Sequence, residues 1–403
     1  MVKLTEGHVA GSQPMRAPRG AAISCKGWEQ EAALRMLLNG LDPEVAEVPE
    51  DIVGSRGPSK PARDGKSMQA MIAALQSLKN DETLVVQGSE VSAILHTHVF
   101  FPRVLIMNAS SAGWVYTGIQ AFLEGAYAAF DAAARAHFQG SLAGKLAACA
   151  GMDARGGALA LGATLHGAAF LGIDADTERI KRRVKAGYCD VMVNDLDEAL
   201  RILKNAVRKR EAASVGLAAN GAVAFAELAR RGVVPDLLAG RTVHTEAIAV
   251  LEKMGAWRLD SSAGASEDRH PFFWAALSGE PADIYRADAL LLEMFPRDEM
   301  LRRWLPLVRK RARFEGLPAR VCRLGFGERR AFALALNDLA ARGELKAPMA
   351  LGHGEAGELP DQLDAVAGGT KEMAKHIERV FGDDPGSAIV RRGSHSETIG
   401  FVR

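Results

Sequence analysis

Strands and helices are predicted to alternate without a break through the middle third of the chain, and this alternation constrains the fold most strongly. Short apolar runs of strand length are separated there by segments with helical periodicity. We predict strands at 145–150, 170–174, 189–193, 214–217 and near Leu237, with helices at 158–169, 177–186, 196–209 and 223–231. Successive strands joined through single helices must run parallel. The sequence therefore predicts a doubly wound, Rossmann-like parallel-sheet domain at residues 140–250.

The flanking segments are predicted to form a mixed α/β core domain into which the parallel sheet is inserted. The first part, 1–139, begins with an irregular amino-terminal arm, and the second part is 251–403. We predict helices at 28–38, 67–78, 288–294, 299–313 and 371–381, and strands at 83–87, 93–95, 104–107 and 319–324. Residues 349–369 are rich in glycine and proline, so we predict a loop there.

The charge balance and the cysteines exclude several classes of protein. Fifty basic residues against 49 acidic ones leave a net charge of +1, with no one-signed field to attract nucleic acid or an anionic membrane. We expect no membrane span, because no run of about 18 apolar residues is present, and no signal peptide. The four cysteines are far apart without a C-x-x-C pair, which excludes a zinc ribbon and argues against disulfides. We therefore expect a cytoplasmic protein without a metal site.

The tract from Ala147 to Asp174, AACAGMDARGGALALGATLHGAAFLGID, contains the parts of a dinucleotide site. Gly151, Gly156 and Gly157 would let backbone amides approach a pyrophosphate, and the following helix would direct its positive end at that charge. Asp174 ends the next strand, where a carboxylate can accept hydrogen bonds from ribose hydroxyls. The spacing is not G-x-G-x-x-G. Taken alone, the glycines are equally consistent with close helix–strand packing.

Two longer segments resemble one known family. RGAAISCKGWEQEAALRMLLNGLDPEVAE, at 19–47, resembles the amino-terminal block of urocanases, which hydrate urocanate with a tightly held NAD⁺. FEGLPARVC, at 314–322, resembles the family's signature, with Glu315, Val321 and Arg323 as departures. The chain is identified as a shortened and divergent member. The resemblance implies a cytoplasmic, homodimeric hydro-lyase of histidine catabolism that acts on an imidazole propenoate, with NAD as an electrophile.

The resemblance also assigns residues to the cofactor. Asp174 occupies the position of the family's ribose-binding glutamate, and the glycines of the tract match the family's glycine-dense loop. The remaining matched positions are Gly57, Arg179, Asn220, Thr242 and His244. His244 is equally consistent with a histidine in a surface loop.

Several positions depart from the family at the cofactor. Asp153, Ala154 and Arg155 replace residues that are normally Gly, Gly and Met. Arg56 replaces the first glycine of a Gly-Gly pair, where it would either bind a phosphate or face solvent. The family's insert before Trp114 is reduced to SSAGW.

The candidate catalytic residues lie in the second part of the core domain. The resemblance makes Arg320 a candidate contact for the substrate carboxylate, since its planar fork matches that group; the alternative is a structural arginine that fixes the turn after Pro318. An ungapped count back from PFFWAALSGEPADIY puts Ser266 at the place of the family's active-site cysteine. His270 and its neighbours could transfer protons in a rebuilt site; the alternative is an exposed loop. LGHGEAGELPDQLDAVAGGT replaces the family's glycine- and histidine-rich tract.

Three functional hypotheses follow. The leading one is an NAD-containing hydratase that acts on urocanate or on a ring-modified relative. The second is a non-catalytic descendant that binds a nucleotide or a partner, which accounts for the missing blocks. The third is a dehydrogenase, which the dinucleotide domain favours but which has no identifiable catalytic dyad.

Overall fold

The computed structural model describes residues 16–42, 45, 62–107, 115–240, 246–259, 268–354 and 363–382. The helices are α1 Trp28–Leu41, α2 Gly65–Ser77, α3 Gln120–His137, α4 Ala154–Leu165, α5 Thr177–Lys185, α6 Leu196–Lys209, α7 Gly221–Arg230, α8 Glu246–Lys253, α9 Pro281–Met294, α10 Glu299–Arg311, α11 Phe326–Ala341 and α12 Lys371–Phe381. The strands are β1 Glu82–Gln87, β2 Glu90–His96, β3 Val104–Met107, β4 Leu146–Ala150, β5 Ala169–Asp174, β6 Val191–Val193, β7 Ala213–Ala218, β8 Leu237–Ala239, β9 Trp257–Arg258, β10 Arg269–Ala276, β11 Ala319–Gly325, β12 Met349–His353 and β13 Ala365–Ala367.

Backbone contacts divide the chain into two compact units. Unit 1 comprises 1–116, 268–294 and 316–403, and unit 2 comprises 117–267 and 295–315. Unit 2 begins before the predicted boundary at residue 140 and continues past 250. It also takes in α10, a helix that the sequence boundaries assigned to the core domain.

Unit 2 is built on a six-stranded sheet with the order β6-β7-β5-β4-β8-β9, in which every pairing is parallel. The predicted doubly wound fold is confirmed. Strand order reverses at β4, because β5 pairs on one side of it and β8 on the other. Its apolar core is drawn from the strands and from α6, α7 and α8. In open α/β sheets, the carboxyl ends of the strands at such a reversal form the usual ligand site.

Capping residues start the helices of unit 2 at that same edge of the sheet. α4, α5, α6 and α7 each follow a strand of the sheet, and each has an N-cap side chain that accepts a hydrogen bond from a first-turn amide. The caps are Asp153, Asp176, Asp195 and Asn220. Asp and Asn favour this position because their oxygens satisfy amides that have no partner within the helix.

The described residues of unit 1 form two sheets. A three-stranded sheet has the order β2-β1-β3, and a four-stranded antiparallel sheet has the order β11-β10-β12-β13. Phe272, Phe273 and Trp274 on β10 are fully buried. The prediction of a loop over 349–369 was wrong at both ends, because β12 and β13 form there as short apolar strands that complete this sheet.

The described residues include no helix that is both long and apolar enough to cross a bilayer.

Candidate functional site

The turn from β4 into α4 is the first part of the predicted cofactor site. Gly151 has φ +90°, a conformation that favours glycine, and its amide donates to the Ile173 carbonyl at 2.7 Å. A Cβ built on Gly151 meets no heavy atom within 4 Å. Because Gly151 has no side chain and the space beside it is open, this point at the carboxyl edge of the sheet has room for a ligand.

The other two glycines of the tract do not lie in the loop. The predicted start of the helix at residue 158 was wrong, since α4 begins at Ala154 and places Gly156 and Gly157 in its first turn. A Cβ on Gly156 would lie 2.0 Å from the Gly151 carbonyl oxygen, and one on Gly157 would lie 2.5 Å from Ile119 Cδ1. These distances favour the packing alternative for Gly156 and Gly157.

Asp174 is buried at the carboxyl end of β5, next to the turn. Its Oδ2 accepts a hydrogen bond from the Met152 amide at 2.7 Å, and its Oδ1 accepts one from the Asp176 amide at 2.9 Å. Arg179 Nη1 lies 3.6 Å from Oδ2. A carboxylate has about four acceptor sites, so these contacts orient the group and leave it able to accept a ribose hydroxyl.

Asp153 places a negative charge at the amino terminus of α4. Its Oδ1 accepts a hydrogen bond from the Gly156 amide at 2.9 Å, and the residue is exposed. This contact stabilises the helix, but it places a carboxylate where helices commonly bind a phosphate. Asp153 is one of the departures from the family noted in the sequence, and in the structure this departure puts a negative charge at a position suited to a phosphate.

Arg183 fixes the same loop from the other side, and the sequence analysis missed it. The guanidinium is buried, and its Nε donates to the Met152 carbonyl at 3.1 Å while Nη1 lies 2.9 Å from Glu315 Oε1. Burial lowers the pKa of the Arg183 guanidinium, and Glu315 opposes that shift. Met152 is therefore held by Asp174 through its amide and by Arg183 through its carbonyl. The only signal in the sequence was Glu315, a departure inside the family signature.

Asn220 lies after β7, the strand paired with β5. It is the N-cap of α7, and its Oδ1 accepts a hydrogen bond from the Val223 amide at 3.2 Å. The preceding amide, of Ala219, donates to the Asp174 carbonyl at 3.0 Å. The Asn220 turn therefore adjoins Asp174, as expected for two cofactor contacts.

Four predicted site residues fall outside the described residues. These are Gly57, Thr242, His244 and Ser266. In chain order, Thr242 and His244 follow soon after the end of β8, the strand paired with β4 at the reversal of strand order.

Arg320 on β11 is buried against an acid. The guanidinium is 1% exposed and binds Asp288 of α9, with Nε to Oδ1 at 3.2 Å and Nη2 to Oδ2 at 2.7 Å. Burial lowers the pKa of this guanidinium, but Asp288 outweighs burial and the net pKa is raised. With two of its donors bound to Asp288, Arg320 makes a structural contact between β11 and α9, rather than one that fixes the turn after Pro318.

His270 is the second residue of β10 and not part of an exposed loop. It lies opposite Leu324 on β11, and its ring centroid is 5.7 Å from that of Phe326. Its neighbour Arg269 forms a two-point contact with Glu328, at 2.8 and 3.0 Å. The exposed-loop alternative was therefore wrong for these two residues. Within the described residues, no group of three or more His, Cys, Asp or Glu side chains is arranged to hold a metal ion.

Models of three protein domains match successive parts of the chain. The urocanase N-terminal domain matches residues 15–122, the urocanase Rossmann-like domain matches 118–250, and the urocanase C-terminal domain matches 265–358. The middle match covers all of unit 2's sheet except β9, and thus the whole edge that carries the Gly151 turn, Asp174 and Asn220.

Proposed function

Because this chain belongs to the urocanase family, we propose that it is a urocanate hydratase-like hydro-lyase with a tightly bound NAD⁺. The substrate would be urocanate or a ring-modified urocanate. The observation that carries the proposal is the convergence of the Gly151 turn, Asp174 and Asn220 at the carboxyl edge of a parallel sheet, where its strand order reverses.

The described residues fit a dinucleotide at this edge. Gly151 leaves open space where a side chain would stand, and Asp174 retains acceptor capacity beside Arg179. Asp174 would bind ribose, while Arg179 and Asn220 would contact the cofactor. By family resemblance, Gly57, Thr242 and His244 would also contact the cofactor. Gly156 and Gly157 would contribute indirectly, by allowing the first turn of α4 to pack closely against its neighbours. When bound, NAD⁺ would supply an electrophilic nicotinamide ring.

This chain's own residues would bind the substrate and move protons. On the family resemblance, Arg320 would bind the carboxylate of the substrate, although its pairing with Asp288 favours a structural role. Ser266 would supply a hydroxyl where the family has a cysteine. His270, at the start of β10, would exchange a proton. Homodimerisation, a cytoplasmic location and a place in histidine catabolism belong to the same proposal.

The alternative is a non-catalytic urocanase-like protein that binds a nucleotide or a protein partner. One observation favours it. The Asp153 carboxylate stands at the amino terminus of α4, where it opposes an incoming phosphate.

The nucleotide content of the purified full-length chain tests the proposal. The protein is denatured, and the released nucleotides are identified and counted by mass spectrometry. We expect close to one NAD⁺ per chain, together with loss of the ultraviolet absorbance of urocanate on incubation. Asp174→Ala should lose the nucleotide, whereas Asp195→Ala, which removes a cap at another strand of the same sheet, should retain it. A chain that contains no NAD⁺ and binds none when it is added would refute the hydratase proposal.

A further inference from the structure

One end of the four-stranded sheet brings His270 together with residues to which the proposed function gives no role. β10 starts where β11 and β12 end, because it is antiparallel to both. His353, the last residue of β12, lies opposite Phe272 of β10. Directly opposed residues of an antiparallel pair point to the same face, and so do residues two apart on one strand. His270 and His353 therefore share a face at this end of the sheet.

Asp364 fixes the orientation of the His353 ring. Its Oδ2 accepts a hydrogen bond from the His353 amide at 2.8 Å and lies 2.6 Å from Nδ1 of the imidazole. An ionised carboxylate only accepts hydrogen bonds, so Nδ1 carries the proton. In the neutral ring, Nε2 is then the basic nitrogen. The Asp364 side chain is buried while the His353 side chain is 36% exposed, which is the arrangement of an oriented acid–base histidine.

Arg329 adds a largely buried cation that has no hydrogen-bond acceptor within the part of the chain that the structure describes. It lies on the first turn of α11 and is 3% exposed. Among the described residues, no side chain or carbonyl accepts a hydrogen bond from its guanidinium. The neighbouring Glu328 is held instead by Arg269 and by the Gly325 amide. The Phe326 ring centroid lies 4.3 Å from Cζ of Arg329, and the negative charge of Asp364 acts on the guanidinium.

The contrast with Arg320 is informative. Both arginines are buried in unit 1, but Arg320 has a two-point contact with Asp288. The fully buried side-chain nitrogen and oxygen atoms that lack a hydrogen-bond partner include none of Arg329, so its guanidinium keeps contact with solvent, from which a ligand can reach it. An anion is the partner that a guanidinium binds best. Phe326 is 60% exposed beside Arg329 and gives such a ligand an apolar wall.

We propose that Arg329 binds the carboxylate of a small ligand and that the His353–Asp364 pair acts as the acid–base group beside it. The inference rests on the proposed function only for the identity of that ligand, an imidazole propenoate. In a hydration, Nε2 of His353 takes the proton that water loses as its oxygen bonds to carbon. Asp364 stabilises the imidazolium, which then returns the proton to the product, so that water is added with no other change.

The test uses the full-length chain, with urocanate and its carboxylate-free analogue 4-vinylimidazole as probes. Binding is measured by calorimetry, and the His353 ring is followed by NMR in histidine-labelled protein, with its signal assigned from His353→Gln. We expect urocanate to shift the His353 signal. Arg329→Gln should weaken urocanate binding at least tenfold and leave 4-vinylimidazole binding unchanged. Arg330→Gln, one residue along α11, and His96→Gln, which removes an exposed His–Asp pair, are the matched controls.

Asp364→Asn tests the acid–base role separately from binding. The change should alter the tautomer of the His353 ring in ¹⁵N spectra while urocanate still binds through Arg329. An unmoved His353 signal in the unaltered protein, or equal loss of both probes in Arg329→Gln, would overturn the inference. NAD⁺ content distinguishes the two proposals: normal NAD⁺ with urocanate binding indifferent to Arg329 refutes only this inference, whereas Arg329-dependent binding without any NAD⁺ refutes only the proposed hydratase.

Discussion

The acidic side chains at the predicted sites of the two units have different hydrogen-bond partners. At the sheet edge of unit 2, Asp153 and Asp174 accept hydrogen bonds from backbone amides. In unit 1, Asp288 binds Arg320 and Asp364 binds His353, so acids meet ionisable side chains. The sheet edge of unit 2 therefore depends mainly on the shape of its backbone, whereas these two sites of unit 1 depend on matched charges. Away from that edge, unit 2 also contains a buried charge pair, Arg183 with Glu315. Substitutions that change charge and substitutions that change backbone geometry should therefore affect the two units unequally.

The largest effect is expected from breaking a matched pair in unit 1. Arg320→Met leaves Asp288 buried without its cation, which should reduce the free energy of unfolding by about 3–5 kcal/mol. Denaturation in urea measures the change. Arg320→Met with Asp288→Leu should recover most of the loss, and Arg323→Met on the same strand should cost much less. A stable Arg320→Met variant that no longer binds urocanate would restore Arg320 as the carboxylate contact.

The glycines of unit 2 test its dependence on geometry. Gly157→Ala places a Cβ 2.5 Å from Ile119 Cδ1 and 2.8 Å from Arg183 Cδ, and should destabilise the protein by about 1–3 kcal/mol. Gly151→Ala meets no atom but must adopt a positive φ, at a cost of about 1 kcal/mol. NAD⁺ titration should show the larger loss of affinity in Gly151→Ala. The opposite order would mean that the ligand does not approach Gly151.

A smaller change follows from removing charge in unit 2 without changing shape. Asp153→Asn keeps a capping oxygen on α4 but removes the carboxylate that opposes a phosphate. We expect NAD⁺ to bind roughly fivefold more tightly, about 1 kcal/mol for exposed charges a few ångströms apart. Asp195→Asn, at the cap of α6, should leave the affinity unchanged. Equal effects of the two substitutions would show that general charge, and not the position of Asp153, controls binding.

The smallest effect is a difference in acid sensitivity. Burial lowers the pKa of His166 in unit 2, so protons bind the unfolded chain more tightly. The stabilisation by neutral His166 is complete above the unfolded pKa of about 6.5 and is lost as the pH falls below it. Burial raises the pKa of Glu31 in unit 1, but hydrogen bonds from Arg35 and Ser24 outweigh this and lower it. The stabilisation from Glu31 is thus lost only below its unfolded pKa of about 4.3.

Urea midpoints measured between pH 7.5 and 5.5 should therefore fall, with His166→Gln flattening the dependence and Glu31→Gln leaving its slope unchanged. A slope that persists in His166→Gln would assign the acid sensitivity to other groups.

The sequence predicted the parallel sheet well because its buried strands form short apolar runs separated by amphipathic helices. α6 and α12 agree with the prediction at both ends. The start of α4 was missed because its first turn contains Gly156 and Gly157, and glycine is a poor helix former. α3 and α11 were not predicted at all.

The site was predictable only where its residues lie at the carboxyl ends of neighbouring parallel strands, here β4, β5 and β7. Gly151, Asp174 and Asn220 meet because parallel strands end at one edge. The His353–Asp364 pair depends on antiparallel pairing of β12 with β13 across a tract rich in glycine and proline. Neither local periodicity nor the family pattern reports that pairing. The roles of Arg183 and Arg329 likewise could not be predicted, because each depends on a side chain that is distant in the sequence and that no recognised motif connects to it.

The interruption of unit 1 by unit 2 has a consequence for synthesis of the protein. α1 packs on α2, which is made early, but also on β13, and β12 completes the sheet around β10. One face of α1 is therefore covered only after the interval needed to make these late strands. At ordinary rates of translation this interval is on the order of tens of seconds. The main segment of unit 2, 117–267, emerges within that interval. The face of α1 that carries Ala32 and Met36, which packs with residues of β10 to β13, should then be the surface on the nascent chain that most needs a chaperone.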